Sequence, residues 1–362
     1  MPFGGSRRRA PVNPGIRLGR QPCHIGGMDG SATAVRTIAN FRPRPPWWGG
    51  DLQTLRNVLV LQRIDLSPWP EETLRFEMPD GSGDVLTGTL AVPHDAADRP
   101  LVILIHGLTG CEDSIHVRAS ARALLQAGYP ALRLNLRGAG PTVGLCHEQY
   151  HAGRTADFRA VLRQIPDRFA RKGLAAVGYS LGGSMLLKYL GEEGRAASLC
   201  AAAAVSVPID LSAACGRFHR PRNWLYKRYL LDRMKRDALR ARGGLPERWR
   251  EPVRCARTIR DYDAGYIAPR YGFGTAERYY AECSATRFMP SVRVPTLIVH
   301  ARDDPWIAPE PYERFRWADA PALIPCLHDS GGHVGFHGRG SRTTWHDRHI
   351  LALLQSCGKA AA

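Results

Sequence analysis

The stretch 174-LAAVGYSLGGSMLLKYL-190 decides the fold. Leu174 to Ser180 is a short apolar run of strand length, and Met185 to Leu190 reads as the start of a helix. Between them, Gly178-Tyr179-Ser180-Leu181-Gly182 matches G-x-S-x-G. The pentapeptide alone says little, because small residues often fall at this spacing. Framed by a strand and a helix, it is the pattern of a tight turn that lifts a serine above a sheet edge. The bland alternative is a glycine-rich turn without chemistry.

The same alternation extends outward. Residues 101-LVILI-105 are a fully apolar run ending at His106-Gly107, as a buried parallel strand should. Helical spacing over 114–127 stops at Gly128, and a strand from Ala131 to Leu136 closes on Arg137-Gly138. A helix is expected over about 154–170, with Phe158, Val161, Leu162 and Ile165 on one stripe. Strands are expected at 200–207, 294–301 and Ala322 to Leu327. From Leu211 to about residue 290 the alternation breaks, and Trp, Tyr and Arg crowd helical stretches. The pattern implies an α/β protein whose mostly parallel sheet has helices on both faces and one helical, lid-like insertion at about 211–290.

A serine needs a base to take its proton, and after such an elbow the expected chain order is serine, acid, histidine. Asp303-Asp304-Pro305 follows a strand directly, and His333 lies in Gly331-Gly332-His333 after the last strand. Asp304 is chosen to orient His333 because it precedes the turning proline, with Asp303 kept as the competing acid. His328, His337, His346 and His349 read as surface or loop residues. The developing oxyanion needs donors. The backbone N–H groups of Leu181, after the serine, and Leu108, after His106-Gly107, are placed to supply them.

One motif points elsewhere. His147-Glu148-Gln149-Tyr150-His151 is a literal H-E-x-x-H, a zinc pattern that works only on a helix. Pro141, Gly144 and Gly153 surround it and no apolar stripe supports a helix, so a loop is expected and no metal or other cofactor.

Charge sorts by position. The 362 residues carry a net charge of +17. Residues 1–27 hold five Arg and no acid, and residues 217–260 hold 15 basic residues against four acidic ones, leaving the body nearly neutral. Residues 1–40 therefore read as a basic, disordered tail, with Met28 a candidate start, and 41–362 as one catalytic domain. No apolar run approaches the roughly 20 residues of a membrane span. Nine scattered Cys in a chain of this length suggest free thiols in a cytoplasmic setting.

Taken together, these residues resemble the YheT-like family of α/β-hydrolases, related to eukaryotic esterases and lipases. The resemblance runs from about Phe41 to Phe336. It includes Phe41-Arg42-Pro43, Leu52-Gln53-Thr54, His106-Gly107-Leu108-Thr109-Gly110, Asn135-Leu136-Arg137-Gly138 and Tyr150-His151-Ala152-Gly153. Asp51, where the family usually has His, departs from the pattern. The resemblance implies a Ser180–Asp304–His333 triad that hydrolyses carboxylic esters, from short acyl esters to acylglycerol or phospholipid substrates. An acyltransferase or thioesterase would use the same groups. The basic insertion, with Trp224, Tyr226, Tyr229 and Trp249, suggests peripheral contact with an anionic membrane. A non-enzymatic basic module binding membrane or nucleic acid is the remaining alternative, and no nucleic-acid partner is expected.

Overall fold

Leu101 to Ile105 are buried without exception, and their side chains divide by period two. Leu101, Ile103 and Ile105 join one apolar cluster, while Val102 and Leu104 join another. A strand buried on both faces needs a layer of helices on each side, and the computed structural model has that arrangement. It describes residues 40–60, 63–96 and 99–357. Residues 1–39 of the basic tail expected from sequence, Met28 included, lie outside the described residues.

Eight strands form one sheet: β1 (Glu71–Glu77), β2 (Val85–Ala91), β3 (Leu101–Ile105), β4 (Ala131–Leu134), β5 (Leu174–Tyr179), β6 (Ala201–Val205), β7 (Thr296–Ala301) and β8 (Leu323–His328). Their spatial order is β1-β2-β4-β3-β5-β6-β7-β8. The β1–β2 and β2–β4 pairs are antiparallel, and the others are parallel. Helices α1 (Gly50–Leu59), α2 (Ile115–Gln126), α3 (Thr155–Arg163), α4 (Asp167–Ala170) and α5 (Leu181–Glu193) come in this order along the chain. Phe158 and Val161 of α3 and Leu186 and Leu190 of α5 fill one face. Val117 and Leu124 of α2 cover the other, with Ile350 and Leu354 of the C-terminal helix Trp345–Cys357.

Two expected boundaries move. The helix read over 154–170 is broken into α3 and α4. Pro166 has no N–H for the helical ladder and drives the residue before it out of helical geometry. The elbow helix begins at Leu181, four residues before the Met185 start. Among the described residues, seven cysteines are free thiols.

Between β6 and β7 the chain runs through α6 (Leu211–Phe218), α7 (Trp224–Leu239), α8 (Glu247–Cys255), α9 (Ile259–Tyr262) and α10 (Ala276–Cys283). A π-helical turn, Asp263–Ile267, follows α9. This insertion has its own apolar cluster, including Leu230, Met234, Val253 and Tyr266. That cluster meets Leu108, Leu181 and Trp306 at the carboxyl ends of the strands, so the insertion roofs the edge where the serine stands.

Candidate active site

Ser180 sits between β5 and α5 with φ 50° and ψ −124°, a backbone region that side-chain-bearing residues seldom occupy. The glycines around it serve close approach. A Cβ on Gly182 would lie 2.3 Å from the His106 carbonyl oxygen, and one on Gly178 would lie 2.6 Å from the Gly183 Cα. The turn therefore tightens because two backbones touch, and the strained φ falls on the serine itself.

Beside it, the loop after β3 is held by two aromatic groups. The His106 Nδ1–H donates to the Gly107 carbonyl (2.8 Å), and its Nε2 accepts from the Leu136 N–H (3.1 Å). The Thr109 N–H donates to the Tyr150 hydroxyl oxygen (2.6 Å). Within the described residues, neither the Leu108 nor the Leu181 N–H donates to a protein group, and both residues line one cavity with Ser180. The first N–H groups of a helix have no partner within it, so Leu181 is free to donate to an anion.

Asp304 is fully buried. Its Oδ1 accepts from the Trp306 (2.7 Å) and Ile307 (3.0 Å) backbone N–H groups, and its Oδ2 accepts from His333 Nδ1–H (2.8 Å). Burial pushes this carboxyl up, but the His333 ring and the backbone donors outweigh it and hold it below the ordinary carboxylate range. Asp303 turns the other way. Its Oδ1 accepts from the Gly332 N–H (2.8 Å), and burial raises its pKa to about 6. Between the two candidate acids, only Asp304 reaches the His333 ring. The Trp306 indole lies against that ring at 4.4 Å between centroids.

The loop carrying His333 is strained and clasped. Val334 and Phe336 have φ of 54° and 49°, rare for a β-branched and a bulky residue. The His333 N–H donates to Thr54 Oγ1 (2.8 Å), Val334 N–H to Ser206 Oγ (3.0 Å) and His337 N–H to Gln53 Oε1 (2.8 Å). Thr54 and Gln53 belong to α1, whose Gly50 admits no Cβ because the Asp303 carbonyl oxygen would lie 1.8 Å away. Gln53, Thr54, Ser206 and Trp306 were not singled out as site residues. The available signals were the Leu52-Gln53-Thr54 motif and the position of Trp306 two residues past Asp304.

The other histidines were expected at the surface or in loops; His337 does lie in a loop but is buried, His346 and His349 are buried in the C-terminal helix, and His328 is half-buried at the end of β8. His337 Nε2 meets Asn57 Oδ1 (2.9 Å) and His346 Nε2 meets Thr344 Oγ1 (3.1 Å), so each is engaged away from Asp304. The H-E-x-x-H stretch runs as a loop. His147 Nδ1–H donates to the Arg242 carbonyl (2.9 Å), Glu148 pairs with Arg154 (2.6 Å), and His151 packs among Tyr271, Phe273 and Tyr279.

Burial near the site sets a pH dependence. Desolvation lowers both His106 and His300 to about 4, and neither ring nitrogen of His300 has a hydrogen-bond partner within the described residues. In the unfolded chain these rings titrate near 6.5. As pH falls through 6.5, the unfolded chain gains protons that the folded protein refuses until about pH 4, so stability drops. Urea unfolding should show these two residues alone removing about 2 kcal/mol between pH 6.5 and 5.5. His300→Phe should flatten the slope by one histidine's share, and an unchanged slope would contradict the assignment.

The sequence profile of the alpha/beta hydrolase fold family matches residues 100–339. The Escherichia coli K12 protein named "Putative esterase YheT" is 32% identical over 316 residues, 85% of this chain and 90% of that protein. The mouse phospholipase ABHD3 is 31% identical over 246 residues, covering 67% of this chain and 59% of its own length. The chain thus spans less than two thirds of that relative. A solved Pyrococcus furiosus esterase superposes with a TM-score of 0.56 at 16% identity, over 83% of this chain and 96% of the other. That last likeness is one of fold.

Proposed function

The chain belongs to the alpha/beta hydrolase fold family and is an ester hydrolase, and from that premise we propose that it works through an acyl-enzyme on Ser180. In this reading His333 Nε2 takes the hydroxyl proton as Ser180 Oγ bonds to the ester carbonyl carbon. The oxyanion receives the Leu108 and Leu181 N–H groups. The carbonyl–alkoxy bond breaks, and the alcohol leaves with the proton held by His333. Water then attacks the acyl-enzyme, giving its proton to His333, and Ser180 departs reprotonated. Asp304 stays ionised, fixing the tautomer of His333 and stabilising its charged form. The observation that carries this reading is the buried His333–Asp304 pair (2.8 Å) on the same sheet edge as a strained serine beside two N–H groups without a partner among the described residues.

The substrate class we favour is a lipid or short acyl ester. Supporting it, the cavity of about 110 Å³ beside Ser180 is walled by apolar residues of the insertion such as Leu211, Phe218, Leu230 and Met234. The surface supports peripheral contact with an anionic membrane. Trp224 (54% exposed), Leu225 and Tyr229 of α7 project from the basic segment, and Trp48, just before α1, and Leu52, within it, are exposed as well. Arg222 and Tyr226 both bind Asp51 (2.6 and 3.0 Å), which ties these two elements together. Tyr226 and Trp249 instead pack against Trp306 and Tyr266. Within the described residues, no helix is long and apolar enough to cross a membrane.

Labelling by a fluorophosphonate tests the chemistry. The wild-type chain should take up the probe at one serine, and Ser180→Ala should take up none. A wild-type chain that stays unlabelled would overturn the acyl-enzyme reading.

A further inference from the structure

The surface of the cavity beside Ser180 is mostly apolar, but polar side chains line it as well, among them Asp263. Asp263 opens the π-helical turn after α9, a local widening that often marks functional positions. It is only 8% exposed. Its Oδ2 accepts from the Tyr280 hydroxyl (2.7 Å), while Oδ1 has no partner within the described residues, and the residue lines the cavity. Next along the chain, the Tyr262 hydroxyl donates to Gln149 Oε1 (3.1 Å). Gln149 also lines the cavity and is buried, and its Nε2 donates to no group within the described residues. An acceptor and a donor are thus left open among the residues that line the cavity, linked through Tyr262, the chain neighbour of Asp263.

We propose that these two side chains form a subsite for a hydroxyl group carried on the acyl chain of the substrate, which donates to Asp263 Oδ1 and accepts from Gln149 Nε2. The inference rests on the ester-hydrolase reading and names the substrate class that fits this pocket.

A carboxylate taken out of water is costly unless its lone pairs are met. If Asp263 served only to anchor Tyr280, a neutral acceptor would do so at lower cost, and no oxygen would face the cavity. Burial raises the Asp263 pKa to about 7, consistent with one hydrogen bond being too few. An ammonium group would satisfy Asp263 but leave the Gln149 amide unpaired, whereas a hydroxyl meets both. Asp237 lines the cavity too, yet it is only half-buried and is faced by Arg233, Arg236 and Arg240.

The test uses the full chain and matched nitrophenyl esters of increasing acyl length, each plain, with a terminal hydroxyl, or with a terminal ammonium. At one length the hydroxyl ester should exceed the plain ester in kcat/KM by about tenfold or more. Asp263→Leu should collapse that ratio toward one. Gln149→Leu should lower it as well, which keeps the proposal open to failure if Asp263→Leu does not fold. Equal rates for hydroxyl and plain esters at every length, with fluorophosphonate labelling of Ser180 intact, would overturn the subsite and leave the hydrolase reading standing. A preference for the ammonium ester would also overturn it. No hydrolysis of any ester together with no labelling would overturn both.

Discussion

Ser180→Ala should reduce kcat/KM toward a simple ester by about 10⁵- to 10⁶-fold, with the fold unchanged. The substitution removes Oγ and nothing else. The Cβ stays, the Ser180 N–H still donates to the Val205 carbonyl (2.9 Å), and the Gly183 and Ser184 N–H groups still reach the residue 180 carbonyl (2.9 and 3.2 Å). The backbone strain at φ 50° stays too, since alanine has the same Cβ. Thermal unfolding should therefore occur at nearly the wild-type temperature. On the proposed mechanism, any remaining activity comes from the Leu108 and Leu181 N–H donors and substrate binding alone. Activity above about 1% of wild type would mean that another group attacks the ester, and the Ser180 assignment would fall.

The two neighbouring aspartates should behave very differently as asparagines. Asp304→Asn should lower kcat on the order of 10⁴-fold, and Asp303→Asn less than about tenfold. The contrast follows from the partners. At position 304 the Trp306 and Ile307 N–H groups demand an acceptor, so the asparagine oxygen must occupy the Oδ1 position. Its amide then presents N–H groups to His333 Nδ1, which can only accept. The ring proton moves to Nε2, where the mechanism needs a lone pair. At position 303 the single acceptor role toward Gly332 N–H survives in asparagine. Comparing kcat/KM for both variants over a range of pH decides the matter. A larger loss at 303 than at 304 would reverse the acid assignment.

The strand, elbow and acid segments were legible because each is written locally. A run such as 101-LVILI-105 has one energetically acceptable setting, buried on both faces of a sheet. The G-x-S-x-G turn carries its own glycines, and Asp304 precedes its own proline. The candidate base, His333, could be named from its glycine-rich loop and position in the chain. Its support could not be read, because Thr54 and Ser206 reach its loop from 279 and 128 residues away, and a hydroxyl at either position carries no pattern of its own. The buried state of His337, His346 and His349 was missed for the same reason. A polar residue's burial depends on distant partners such as Asn57, and hydrophobic periodicity does not record them. The open Asp263 oxygen was illegible too, since the insertion lacks the alternation that gives the body its register.

The clasp of α1 on the His333 loop has a consequence for how activity arises during folding. The Thr54–His333 and Gln53–His337 bonds span 279 and 284 residues of chain. The elbow, by contrast, needs only β5, α5 and their immediate neighbours. Contacts this distant in sequence close late, because the loop entropy must be overcome before they form. On the proposed mechanism, a refolding chain thus presents Ser180 before His333 is held in place as its base. Recovery of ester hydrolysis will lag behind recovery of secondary structure, and enzymatic activity becomes the most demanding reporter that the two ends of the chain have met.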